Sequence, residues 1–174
     1  MAEVLGIVGS LAGIASAGVS VVSALTKFGI SIRGSNEKIN ALAGRVSLTA
    51  SILSDISATV KEHISGFKDE EFRATWSKVL ASCEESYVRL EKGLDKARKS
   101  KGKSLNLSAW GKLVWAIGGE AEMGDLETSL ERCCQQVMMM QQAVQMSVLN
   151  LIAQRCAPPM LRFCCGLMQL QGSS

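Results

Sequence analysis

Eight residues come closest to a catalytic signature. Ala97-Arg98-Lys99-Ser100-Lys101-Gly102-Lys103-Ser104 fits a loose phosphate-binding loop, with alanine in place of the first glycine. Such a loop needs a strand before it and a helix after it, so that backbone N–H groups cradle the phosphates. A charged helical pattern precedes this string, and no apolar strand leads into it, so nucleotide chemistry is not expected. The single histidine, His63, stands beside Lys61 and Glu62 near a helix end and reads as a surface residue. The six cysteines are Cys83, Cys133, Cys134, Cys156, Cys164 and Cys165. Two pairs are adjacent and none has C-x-x-C spacing, which leaves few suitable metal ligands. Buried helical thiols are the simplest reading, and Cys164 and Cys165 are alternative acylation sites. No sequence signature frames a serine or cysteine as a nucleophile, and the carboxylates fall on helical surface positions. We therefore expect no enzyme, no catalytic residues, no cofactor and no metal.

A different chemistry is written in the first 26 residues. From Val4 to Thr26 there are 23 residues with no charge and no proline. As a helix that run is roughly 35 Å long, against about 30 Å for a bilayer core. Its large aliphatics are Val4, Leu5, Ile7, Val8, Leu11, Ile14, Val19, Val21, Val22 and Leu25. At central-position values these contribute about −3 to −6 kcal/mol to membrane insertion, and the glycines and serines oppose. Insertion is thus near balance, as a conditional membrane segment needs. Gly9, Gly13 and Ala17 recur at every fourth position, a small-residue row that allows close helix approach. Ala2, Gly6 and Ser10 form a parallel row. The competing reading is a tight helix crossing inside a soluble core.

The basic cluster Lys96, Arg98, Lys99, Lys101 and Lys103 is either a solvated loop or a site for anionic lipid head groups. Each charge near such a surface contributes about 1 kcal/mol. A net charge of +3 and 5% aromatic residues do not indicate nucleic acid. Glu3 stands where a secretory signal would carry positive charge, and the apolar run is too long for one, so the expected compartment is cytoplasmic.

The elements that position these residues read as helices throughout. The two prolines, Pro158 and Pro159, interrupt nothing earlier. The first helix is expected over Ala2–Lys27, broken near Gly29 and Gly34. A second follows a Ser35 or Asn36 cap, with the stripe Ile39, Leu42, Val46, Thr49, Leu53, Ile56 and Val60, and stops near Gly66. A third, capped by Asp69, carries Phe72, Trp76, Val79, Cys83, Tyr87, Leu90, Leu94 and Ala97. Ser108 caps a short helix with Trp110, Leu113, Val114 and Ile117, closed by Gly118-Gly119. The last long helix carries Met123, Leu126, Leu130, Cys133, Val137, Met140, Val144, Val148 and Leu151 and ends at Arg155. Met138-Met139-Met140 and Met146 fill a core or form an adaptable face. The fold expected is all-α: an antiparallel bundle of four long helices plus a short helix, over residues 1–157, with a hydrophobic N-terminal helix. Residues 158–174 form an apolar tail, either a packed stub or disordered.

The opening MAEVLGIVGSLAGIASAGVSVV and the amphipathic stretch Asn36–His63 resemble the N-terminal domains of fungal NLR-like (STAND) proteins. So do Trp110, Lys112, Leu113 and Trp115, followed by Leu126, Leu130 and Glu131. The resemblance is to the HeLo-like group, related to HeLo domains and to the four-helix bundles of necroptosis executioners, and spans roughly residues 1–155. It implies programmed cell death in heterokaryon incompatibility and innate immunity. It also implies self-association, a pore-forming step, and movement from cytoplasm to plasma membrane on activation. The partners implied are membrane lipids and an NLR-type receptor or like domain. Glu3 matches the early acidic residue of such domains, and Gly9, Gly13 and Ala17 the small-residue row. The alternative is a soluble homotypic adaptor that never inserts.

Overall fold

The structure is a computed structural model and describes residues 2–31, 37–63, 70–99 and 108–156. These residues form a helical bundle of five helices, with no strand among them. The helices are α1 (Ala2–Ser31), α2 (Glu37–Glu62), α3 (Glu70–Lys99), α4 (Ala109–Ile117) and α5 (Glu120–Cys156). The expected caps at Ser35, Asn36 and Asp69 and the tail 158–174 lie outside the described residues.

The 3–4 spacing of large apolar residues dictates which faces meet. Every stripe position expected on α2 is buried, as is every expected position of α3 from Trp76 to Ala97. The side chain of Phe72 lies outside the described residues. On α5 the stripe is buried from Met123 to Val144, then only half-buried at Val148 and Leu151. On α4, Leu113 is buried, while Trp110, Val114 and Ile117 pack partly buried against the core.

Named contacts fix how the helices run. α1 packs chiefly on α2. Val8 O accepts from Ser57 Oγ at 3.3 Å. Gly18 lies against Ala50, and Gly29 against Ile39. These pairings make α1 and α2 antiparallel. α3 lies along α1 in the same direction, with Tyr87 at Gly18 and Arg98 at Ala24. α5 returns antiparallel to α3 through Ser82–Cys133, Ser86–Ser129 and Arg89–Glu122.

Two boundaries differ from expectation. α1 continues through Gly29 to Ser31 instead of stopping at Lys27. Continuing the helix buries Phe28 and seats Gly29 on Ile39, which outweighs the breaker. α2 stops at Glu62, with His63 in a turn whose N–H reaches Thr59 O at 3.1 Å. The short helix closes as expected. Gly118 and Gly119 have φ of 133° and 120°, and both donate to Val114 O. That left-handed turn is open to glycine at no steric cost.

Candidate functional site

The solvent face of α1 is the unusual surface of this fold. Gly6–Ile30 has a mean hydropathy of 1.8 and is long and apolar enough to cross a membrane, yet only 28% of it is buried. Its bulky residues divide sharply. Leu11, Ile14, Val21 and Leu25 are buried, and Ile7, Val8 and Val22 are half-buried. Val19 stays outside at 64% exposure. The side chains of Glu3, Val4 and Leu5 lie outside the described residues.

Apart from Val19 and, at the C-terminal end, Lys27 and Ile30, what remains outside is small and uncharged. Gly6, Gly9, Ser10, Gly13, Ala17 and Ser20 are all exposed. A Cβ built on Gly6, Gly9 or Gly13 meets nothing within 4 Å. The tight crossing is elsewhere, at Gly18, where a Cβ would lie 2.8 Å from Ala50 Cβ and 3.2 Å from the Tyr87 ring. Among the described residues the Gly9–Gly13–Ala17 row therefore serves no close contact. Each glycine in a helix interior costs about 1 kcal/mol relative to alanine. A water-facing helix surface ordinarily carries charge, and this one has none from Val4 to Thr26. Beside it a shallow groove opens between α1 and α2, lined by Ala12, Ser16, Val19, Ser51, Ser54 and Ala58 among others.

The basic residues sit at the other end of α1. Lys96, Arg98 and Lys99 form the last turn of α3, where cations complement the helix dipole. Arg98 Nη2 donates to Ala24 O at 3.0 Å, which ties α3 to α1. Lys96 Nζ lies 5.3 Å from the ring centre of Trp115, which is 58% exposed. Lys38 covers Trp110 in the same way at 5.3 Å. The structure thus joins Arg98 to the hydrophobic helix, a meeting that sequence spacing does not reveal. Lys101 and Lys103 lie outside the described residues.

A second polar cluster is buried between α3 and α5. Ser86 Oγ donates to Ser82 O and meets Ser129 Oγ, both at 2.9 Å. Ser82 Oγ lies 3.5 Å from Cys133 Sγ. Cys83 and Cys133 are free thiols, and hydrogen bonding to Cys133 together with burial pushes the titration of Cys83 far above the ordinary thiol range. The same hydrogen bond holds Cys133 low, against the opposing effect of burial. Burial chiefly, with the nearby thiols, also raises Tyr87. Among the described residues no atom meets hydrogen-bond geometry with the buried Tyr87 hydroxyl. The Thr49 hydroxyl lies beside it and favours its ionised form, but is itself committed to Arg45 O at 2.9 Å. Repeats of serine and cysteine at i, i+4 on both helices were the available sequence signal. Among the described residues no group of three or more His, Cys, Asp or Glu is placed to hold a metal.

No family model, curated protein or solved structure matches the chain. The functional reading therefore rests on the geometry of α1 and its surroundings.

Proposed function

We propose that this chain is a HeLo-like domain of regulated cell death and innate immune signalling. In this reading it is an antiparallel bundle of four long helices plus a short one, cytoplasmic until activated. It then oligomerises and permeabilises the plasma membrane through α1. The basic end of α3 meets anionic head groups, and an NLR-type receptor or like domain supplies the trigger.

One observation carries the reading. Gly6, Gly9 and Gly13 occupy an exposed, uncharged helix face where no neighbour requires a glycine. Their conformational cost is uncompensated in the bundle, so the row is matched to a helix contact made in another state. A second reading, the soluble homotypic adaptor, is favoured by a different fact. Leu11, Ile14, Val21 and Leu25 are already spent on the core.

Dye release from anionic vesicles separates the two. Gly9→Leu with Gly13→Leu keeps α1 apolar, fits the open space around both positions and blocks close helix approach. At a chain concentration high enough to drive self-association in place of the trigger, we expect the wild-type chain to release dye and the double variant to lose most of that activity while keeping its helicity. Absence of release by the wild-type chain, or equal release by both proteins, overturns the membrane reading.

A further inference from the structure

α5 carries a second apolar stripe that faces away from the core. Met139, Met146 and Leu149 are 61, 59 and 59% exposed, flanked by Met138 at 45% and Ile152 at 48%. With Gln135, Gln142 and Ala153 the first three occupy every step of a 4, 3, 4, 3, 4 progression along the helix. That is the seam spacing of a two-helix coiled coil. The inward stripe on the same helix is already satisfied by the bundle, so this outward seam is additional.

The surface is also free of charge. From Cys133 to Gln154 there are 22 residues without a charged side chain. A helix face meant only for water would carry lysine or glutamate here. The geometry of α5 carries the last part of the seam, from Met146 on, beyond the neighbouring helix α3. Its 37 residues extend about 55 Å, against about 45 Å for the 30 residues of α3. The antiparallel register set by Ser82–Cys133 and Ser86–Ser129 carries the last turns of α5 past the start of α3.

We propose that a second copy of this chain covers this face, α5 against α5. The seam runs for roughly 27 Å from Gln135 to Ala153 and calls for a partner helix of equal length with a matching, neutral stripe. Among the described residues α5 itself carries such an exposed seam. Neutral faces meet without repulsion. Gln142, at a seam position, finds an amide partner in the same residue of the second copy, and a polar seam residue of this kind sets register. The five large side chains leave on the order of 500 Å² per copy, a sizeable patch for a monomer. Two copies bury about 1,000 Å², the lower bound for a specific interface, so a weak, reversible dimer is expected. The inference stands on α5 alone and survives failure of the membrane reading of α1.

Sedimentation velocity of the full chain over a micromolar concentration series tests it. The expected result is a reversible monomer–dimer equilibrium. Met146→Glu with Leu149→Glu sets like charges across the seam and should raise the dissociation constant at least ~100-fold. Both positions are exposed, so circular dichroism of this variant should match the wild type. Gly9→Leu with Gly13→Leu should leave the dimer intact. A chain that stays monomeric throughout overturns the proposal, and is the outcome if residues 157–174 of the same chain occupy the face. A dimer insensitive to the glutamate pair overturns it as well.

Discussion

The glycines of α1 allow a prediction with opposite signs on one helix. At Gly6, Gly9 and Gly13 a methyl group would meet nothing within 4 Å. Alanine there removes the backbone entropy penalty, about 0.5–1 kcal/mol per site. The triple variant Gly6→Ala, Gly9→Ala, Gly13→Ala should therefore stabilise the folded chain by about 2 kcal/mol, allowing for fraying at Gly6. For a domain of this size that raises Tm by about 4–8 °C. At Gly18 the same substitution drives Cβ to 2.8 Å from Ala50 Cβ and 3.3 Å from the Tyr87 hydroxyl. Overpacking of this kind costs about 1–3 kcal/mol and exceeds the gain in helix propensity. Urea unfolding followed by far-UV circular dichroism measures both. Vesicle leakage adds a second readout: alanine keeps the row small, so the triple variant should still release dye, but more slowly because its bundle is firmer. A triple variant that loses stability would mean that the row is packed in the folded chain. The glycines would then be explained by the bundle, with no second state required.

Three further outcomes follow from buried groups and caps. Tyr87→Phe removes a hydroxyl with no bonding partner among the described residues, so the unfolding free energy should hold or rise by up to about 1–2 kcal/mol; a loss of that size would reveal a partner. Cys83 and Tyr87 keep their protons more tightly in the bundle than in the unfolded chain, whose values are 9.0 and 10.0. Their contribution is fully present below pH 9.0 and is lost as pH rises above it, so unfolding midpoints should fall on the alkaline side, less steeply in Cys83→Ala. Ser108→Ala removes the side chain that accepts from Gly111 N at 3.1 Å. It should cost about 1 kcal/mol, read as faster amide exchange confined to α4.

The helices were legible because large apolar residues at 3–4 spacing leave one face to bury. Ile39 to Val60 on α2 is the plain case, with each expected position buried. The end of α1 was not legible, because Gly29 is a breaker locally and the burial of Phe28 is a tertiary effect. The row Gly9–Gly13–Ala17 could be read as a row, but spacing along one helix does not name the neighbour. The bundle places its close approach at Gly18, one position beyond the end of that row. The clamp from Arg98 to Ala24 joins residues 74 apart and leaves no one-dimensional trace. On α5 the methionine run concealed two stripes: Met140 faces inward, while Met138 and Met139 face out.

On the membrane reading proposed above, the packing of α1 also decides what activation must supply. Leu11, Ile14, Val21, Leu25 and Phe28 are each at most 7% exposed. Burial of such side chains contributes about 1.5–3 kcal/mol apiece, or about 8–15 kcal/mol for the five. Insertion of the same helix returns about 3–6 kcal/mol. The bundle wins over insertion of a single helix, so α1 leaves it only where released copies also associate in the membrane. The remainder has to come from contacts made only after release, and the small-residue row on the outer face is where a neighbouring helix can make them. Arg98 bears on the first step. Its guanidinium donates to Ala24 O in the bundle, and the same group is suited to an anionic head group. Drawn to a head group, that Arg98 donor is lost to Ala24. Lipid binding at the end of α3 would thus loosen the hold on α1 where its C-terminal turns pack.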